Sequence, residues 1–461
     1  MIGRLAIRSL TAHPVRSAVL AAGFGVGVAV MAILLGVAEI ILEQSRAPAL
    51  IGGGDVLIRL APEVPGRLVM SGALQNDSLR SQIETASPSH TAALSMIHHG
   101  REIPVDARGG IPSLERRVGD PETASVSAWQ DTEEDITWTQ DTPEEVLRHI
   151  DRFHSIPDTP AWSDSWAEWL YFNGRAGDAR FYLTFLVGPA TDDGRRSAGV
   201  RLQLNRGGLL ETFAESHTIT NAEAMLAPDL TLGASSVRLV GMQYRVHLDL
   251  PGQGGRRVRG DLTIEASAGR LVPPLEITGA RGWLSGYVVP VMSGQLDGML
   301  DVDGDIVSFA EGSGYHDHNW GFWEGVSWQW GQVQHGDLSI LFGRVFPPSE
   351  AADPDRVPGF VGVVGPDGPL TYTDNVTITE TNDARGQPRS LVVTARRGLD
   401  FEIEIAFDVE SAITTEAGGS RLLADSLDFF QLNGTYSVMG HIGDQTLAFT
   451  APGSAETFRG R

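Results

Sequence analysis

From about residue 158 onward, apolar and polar residues alternate in run after run, and this period of two constrains the fold more than any other feature. Met242, Tyr244, Val246, Leu248 and Leu250 alternate with Gln243, Arg245, His247 and Asp249. Phe401, Ile403, Ile405 and Phe407 alternate with Glu402, Glu404 and Asp408. Phe181, Leu183, Phe185 and Val187 repeat the pattern, as do Val200, Leu202 and Leu204. Successive side chains of a strand point to opposite faces, so each run is a strand with one face buried and one wet. Turn clusters separate the runs at Asp192-Asp193-Gly194, at 251–255 and at Asp303-Gly304-Asp305. Short, regularly spaced strands with few helical patterns predict antiparallel β-sandwiches or barrels, two of them.

The chain of 461 residues is long enough for about three units. Its 58 acidic residues outweigh 35 basic ones, all of them arginine, for a net charge of −23. The absence of lysine excludes Schiff-base chemistry and the phosphate-binding lysine of a P-loop. The acidity argues against a nucleic-acid partner, whose phosphates require a basic face. With no cysteine there are no disulfides, thiolate nucleophiles or cysteine-ligated metals.

No charged residue interrupts Ser17–Ala38, and 22 residues at about 1.5 Å each span a hydrocarbon core of about 30 Å. Arg4, Arg8 and Arg16 precede this run, and Glu39 and Glu43 follow it. The positive-inside rule then predicts a single-pass anchor at 17–38 with a cytoplasmic N-terminus and the main body on the far side of the membrane. The run is longer than a signal-peptide core. The opening LAIRSLTAHPVRS, this apolar segment and GGGDVLI at 52–58 resemble the start of an ABC-transporter permease of the lipoprotein- and macrolide-export type. The resemblance implies a bacterial inner membrane, a periplasmic main body and an ABC permease or ATPase as partner, although no further spanning run follows.

Residues 1–43 are therefore read as amphipathic start plus anchor, and 44–157 as a stalk or small permease-like region. Within the stalk, Thr142-Pro143-Glu144-Glu145 carries a cap, an N1 proline and a capping box. Leu147, Ile150 and Phe153 fall on one face of the helix it starts.

Two stretches depart from ordinary strand sequence and hold seven of the ten tryptophans. One runs from Trp162 to Gly174, the other from Gly312 to Gly331 (GSGYHDHNWGFWEGVSWQWG). If 315–320 is extended, Tyr315, Asp317 and Asn319 share one face, and His316, His318 and Trp320 the other. His316 and His318 could ligate zinc, but only Glu324 and His335 lie nearby as further ligands. No metal or cofactor is expected. No G-x-S-x-G elbow supports a serine hydrolase. Two readings stay open: a structural corner filled by tryptophans, or Asp317 as a protonated acid in an aromatic cavity that stabilises a carbocation.

GSGYHDHNWG, with SGYVVPVMSGQLDGMLDVDG before it and WQWGQV after it, resembles the hydroxyneurosporene synthase (carotenoid hydratase) family and the related AttH-like proteins. Glu168-Trp169-Leu170-Tyr171-Phe172 is similar to that family's E-W-W-Y-F motif, with leucine in place of one tryptophan. The resemblance implies two tandem lipocalin-like barrels, at 158–325 and 326–461, and an apolar isoprenoid or acyl ligand. It assigns Asp317 as the acid that protonates an alkene and Tyr315 as the group that orients it. Ligand contacts are expected at Glu168, Trp169, Tyr171, His316, His318, Asn319, Trp320 and Trp323. The family's hydratases also use an upstream His and Trp, where this chain reads Gly286-Tyr287-Val288-Val289-Pro290. The alternative function is a non-catalytic lipid-binding accessory of an ABC exporter.

Overall fold

The alternating runs fold as strands, and the turn clusters close hairpins between them. The computed structural model describes residues 56–58, 66, 69–70, 82–98, 101–119, 126, 128–137, 142–191, 193–416 and 427–460. The predicted anchor at 17–38 lies outside the described residues. Among the described residues no helix is long and apolar enough to cross a membrane.

The chain divides into two compact units, one built on 83–136 and the other containing 137–461. The smaller unit holds the hairpin β1 (Ser89–His98) and β2 (Arg101–Gly110), the helix α1 (Pro112–Arg117) and most of α2 (Glu133–Thr137). The larger unit begins with α3 (Pro143–Ile150), whose capping box between Thr142 and Glu145 is present as the sequence predicts. Residues 143–154, assigned to the stalk from sequence, pack into the core of the first large sheet through Leu147, Ile150 and Phe153.

That sheet contains β3 (Trp166–Ala176), β4 (Ala179–Ala190), β5 (Arg196–Arg206), β6 (Leu209–Ile219), β7 (Thr231–Leu232), β8 (Ser235–Val240), β9 (Gln243–Pro251) and β10 (Arg257–Glu265). It continues with β11 (Val272–Thr278), β12 (Leu284–Val302), β13 (Asp305–Ser308) and β14 (Gly312–Phe322). Its order, β6-β5-β4-β3-β14-β12-β10-β9-β8-β7, is an antiparallel meander that turns back on itself, with one seam between β6 and β7. A bridge from Phe213 to Gly252 narrows that seam.

The second sheet contains β15 (Ser327–His335), β16 (Leu338–Phe346), β17 (Phe360–Gly365), β18 (Gly368–Thr373), β19 (Val376–Asn382), β20 (Pro388–Arg397), β21 (Phe401–Glu416), β22 (Leu427–Ile442) and β23 (Gln445–Gly460). Its order, β18-β17-β16-β15-β23-β22-β21-β20-β19, repeats the plan with its seam between β18 and β19. There the Thr373 hydroxyl of β18 donates to the Arg396 carbonyl of β20 at 2.8 Å. Each sheet curls around its own apolar interior. This is the mainly β, tandem barrel-like architecture expected from the alternation.

Two strands break the alternation for a physical reason. Residues 285–294 of β12 and 314–318 of β14 are buried on both faces. One face of each points into the first barrel, and the other lies under the second sheet. A strand covered on both sides reads as a continuous apolar run, as Gly286–Met292 does.

Leu202 is fully enclosed in the first barrel. Leu202→Ala should cost about 2–5 kcal/mol in urea unfolding of the full chain. A loss below about 1 kcal/mol would show a loosely packed interior.

Candidate functional site

Strand β14 separates two different chemistries. Its register against β3 pairs Asp317 with Tyr171, His318 with Leu170 and His316 with Phe172. The pleat then sends His316, His318 and Trp320 inward and Tyr315, Asp317 and Asn319 toward the second sheet.

Inside the barrel lies a buried ionic network. Asp151, Glu168, His316 and His318 are all 0% exposed. His316 Nδ1 lies 2.9 Å from the Tyr171 carbonyl, which can only accept, so Nδ1 carries a proton. Its Nε2 lies 2.9 Å from Asp151 Oδ2. His318 bridges two carboxylates, with Nε2 2.9 Å from Glu168 Oε1 and Nδ1 3.2 Å from Asp151 Oδ1. Burial alone would depress His318, but its contacts with Asp151 and Glu168 and their charges hold it at about 9. The contact with Glu168 is a hydrogen bond, whereas that with Asp151 is an ion pair without hydrogen-bond alignment. Burial would likewise raise Asp151, but the His316 charge and hydrogen bond, with the His318 contact, bring it down to about 2. Glu168 is lowered against its burial by His154 and His318, and it accepts the His154 backbone N–H on both oxygens.

His154, Glu168 and His318 each offer a ligand atom within 4.8 Å of the others, the two-histidine, one-carboxylate set used by zinc. Here those atoms hydrogen-bond one another, with His154 Nδ1 2.7 Å from Glu168 Oε1. The same three residues belong to the ionic network described above.

The outer face is aromatic and acidic. A loop of residues 323–326 turns β14 into β15, which folds back over it, so that Trp330 Nε1 donates to the Tyr315 hydroxyl at 3.0 Å. Tyr171, Tyr182, Tyr287, Trp330 and Phe360 pack around this point, with Tyr287 stacked on Phe360 at 5.1 Å. Asp317 is 4% exposed within this cluster. Burial, then the charge of Glu456 on the second sheet, push its carboxyl well above the usual carboxylate range. Hydrogen bonds from Tyr315 and from Asn319 Nδ2, the latter at 2.6 Å, offset that only in part. Its surroundings therefore favour the protonated form of Asp317, with an aromatic wall in front of it. Next to Tyr315 lies a cavity of about 50 Å³ lined also by Asn173, Tyr182, Met292, Gln332 and Ser454, and Asp317 is not among its lining residues. Hydrogen bonds between the sheets narrow it, Gln332 to Asn173 at 2.9 Å and Ser313 to Gln334 at 2.9 Å.

The structure thus divides the residues singled out from sequence. Asp317, Tyr315, Asn319 and Tyr171 meet at the cleft, with Trp169 packed against its edge. Glu168, His316 and His318 lie on the barrel side of the same strands. Trp320 donates its indole N–H to Glu276 at 2.7 Å, and Trp323 to the Ala167 carbonyl at 2.8 Å. Sequence reasoning missed Tyr182, Tyr287, Trp330, Phe360 and Glu456 in the cleft and Asp151 and His154 in the network. For Trp330 a signal existed, the WQW repeat, whereas Glu456 sits in an unremarkable strand.

No protein-family model matches the chain, and no curated protein matches it. Among solved structures, an AttH candidate from Nitrosomonas europaea is similar at 14% identity and TM-score 0.42, over 64% of this chain and 92% of that one. Kievitone hydratase from Nectria haematococca is similar at 14% identity and TM-score 0.42, over 67% and 95%. CghA with Sch210972 gives 10% identity and TM-score 0.39, over 69% and 95%. On its own strand order, the fold is lipocalin-like.

The network makes stability depend on pH. A histidine raised from 6.5 to about 9 contributes stability that is fully present below 6.5 and lost as pH rises through 9. Asp151, lowered from 3.8 to about 2, contributes above 3.8 and loses that as pH falls through 2. The melting temperature should therefore fall between pH 6.5 and 9.5, and His318→Gln should flatten that slope. An equal slope in both proteins would place the pH dependence elsewhere.

Proposed function

We propose that the chain binds an apolar, unsaturated ligand between its two barrels and that Asp317 protonates a carbon–carbon double bond of that ligand. The observation that carries this reading is the Asp317 carboxyl, buried, pushed toward its protonated form and set among Tyr171, Tyr315, Tyr287 and Trp330. A general acid must hold its proton at working pH, and burial beside a second carboxyl favours that. The cation formed on protonation would face indole and phenol rings, each worth about 2 kcal/mol when desolvated. Tyr315, fixed by the Trp330 N–H, orients the acid and the alkene.

The sequence resemblance to hydroxyneurosporene synthase supports an isoprenoid polyene as ligand and water as the group added. The cavity of about 50 Å³ holds only a few waters, so a polyene would have to part the sheets. The Gln332–Asn173 and Ser313–Gln334 bonds resist this by only about 1 kcal/mol each. The sequence also supports a tether at 17–38, a periplasmic body and an ABC exporter as partner. A non-catalytic lipid carrier is the second reading, favoured by the same aromatic lining.

Incubation with isoprenoid polyenes, neurosporene first, and mass detection of a water adduct tests the proposal. Asp317→Asn should cut adduct formation by about 10²–10⁴-fold while the polyene still quenches tryptophan emission with unchanged affinity. Equal turnover in the variant would remove Asp317 as the acid. Tight binding without any adduct from the native chain would establish the carrier.

A further inference from the structure

Glu456 acts on Asp317 through its charge but takes no proton in the step above, and the second barrel delivers it to the same cleft. It lies on β23, opposite Trp330 in the β15–β23 register and opposite Gln431 in the β22–β23 register. Its Oε1 is buried without a hydrogen-bond partner. The Tyr171 hydroxyl and the Trp328 indole address its carboxyl. Its charge acts on Tyr171, Tyr182, Tyr315 and Asp317, which β3, β4 and β14 supply. No cation is among the groups acting on it. A buried carboxylate with no cation and one idle oxygen is costly, and glutamine would fill the same volume without that cost.

We propose that Glu456 is the proton acceptor of this cleft, so that the acid comes from one barrel and the base from the other. This rests on Asp317 being the acid. Asp317 gives its proton to one alkene carbon, and the π electrons form the new C–H bond. A water oxygen attacks the cationic carbon, and Glu456 takes a proton from that water. Alkene plus water becomes an alcohol, leaving Asp317 ionised and Glu456 protonated. A proton returning from Glu456 to Asp317 restores the pair.

The two carboxyls must hold opposite states at one pH. Asp317 is pushed well above the carboxylate range, whereas burial, opposed by Tyr171 and Trp328, brings Glu456 only to about 7. Two acids whose surroundings separate their pKa values divide the roles of donor and acceptor.

The full chain is tested with neurosporene in ordinary and in deuterated water. Glu456→Gln should lose about 10²-fold or more of the adduct rate, yet still exchange deuterium into the recovered polyene, because protonation by Asp317 survives. Glu456→Asp, which keeps the charge on a shorter side chain, should recover part of the rate and guards against a folding artefact. The native rate should rise with pH through about 7. In infrared difference spectra, a protonated-carboxyl band should vanish with that same midpoint and be missing from Glu456→Gln. Native adduct rates in Glu456→Gln, or an infrared midpoint near 7 that survives the substitution, overturn the proposal while leaving Asp317 as acid. A native chain that neither hydrates nor exchanges the polyene removes the acid as well, and the proposal with it.

Discussion

The ionic network of Asp151, Glu168, His316 and His318 is the interaction on which the rest of the site depends. It ties β14 to β3 and to the segment after α3 from within the barrel. Buried ion pairs add little net stability over apolar packing, because desolvation offsets their attraction, but removing one partner costs about 3–5 kcal/mol. Their effect is geometric: neither strand can slip or rotate without stranding a charge. A strand pinned on its inner face presents its outer face in one arrangement, and that face carries Tyr315, Asp317 and Asn319.

The second constraint is the double burial of β12 and β14. A single barrel would leave their outer faces wet, and Asp317 would then ionise like any surface carboxylate. The second barrel, reached through a loop of residues 323–326, covers that face with Trp328, Trp330 and Phe360 and adds Glu456. The raised carboxyl is thus a property of the tandem, since it arises from burial between barrels and from a charge on the other sheet.

Much of this was legible in the chain because period-two patterning is local. The strands at 181–187, 242–250 and 401–407, the capping box at Thr142 and the two faces of 315–320 all follow from neighbours in sequence. What was not legible depends on distant pairings. Asp151 meets His316 across 165 positions, and Glu168 meets His318 across 150. Nothing near Asp151 or Glu456 marks either as buried. The tryptophan clusters misled in part, because Trp320 and Trp323 direct their indole N–H groups to structural acceptors while Trp330, in the same run, reaches Tyr315. Gly286–Met292 was opaque because a strand covered on both faces has no alternation.

The most direct test of this account is nitrogen-15 NMR of the histidine rings at neutral pH, with His318 assigned by its loss in His318→Gln. Protons are expected on both His318 ring nitrogens, as an imidazolium held between Asp151 and Glu168 requires. A neutral His318 ring with one unprotonated nitrogen would contradict this account, since the ions that pin β14 would then be absent.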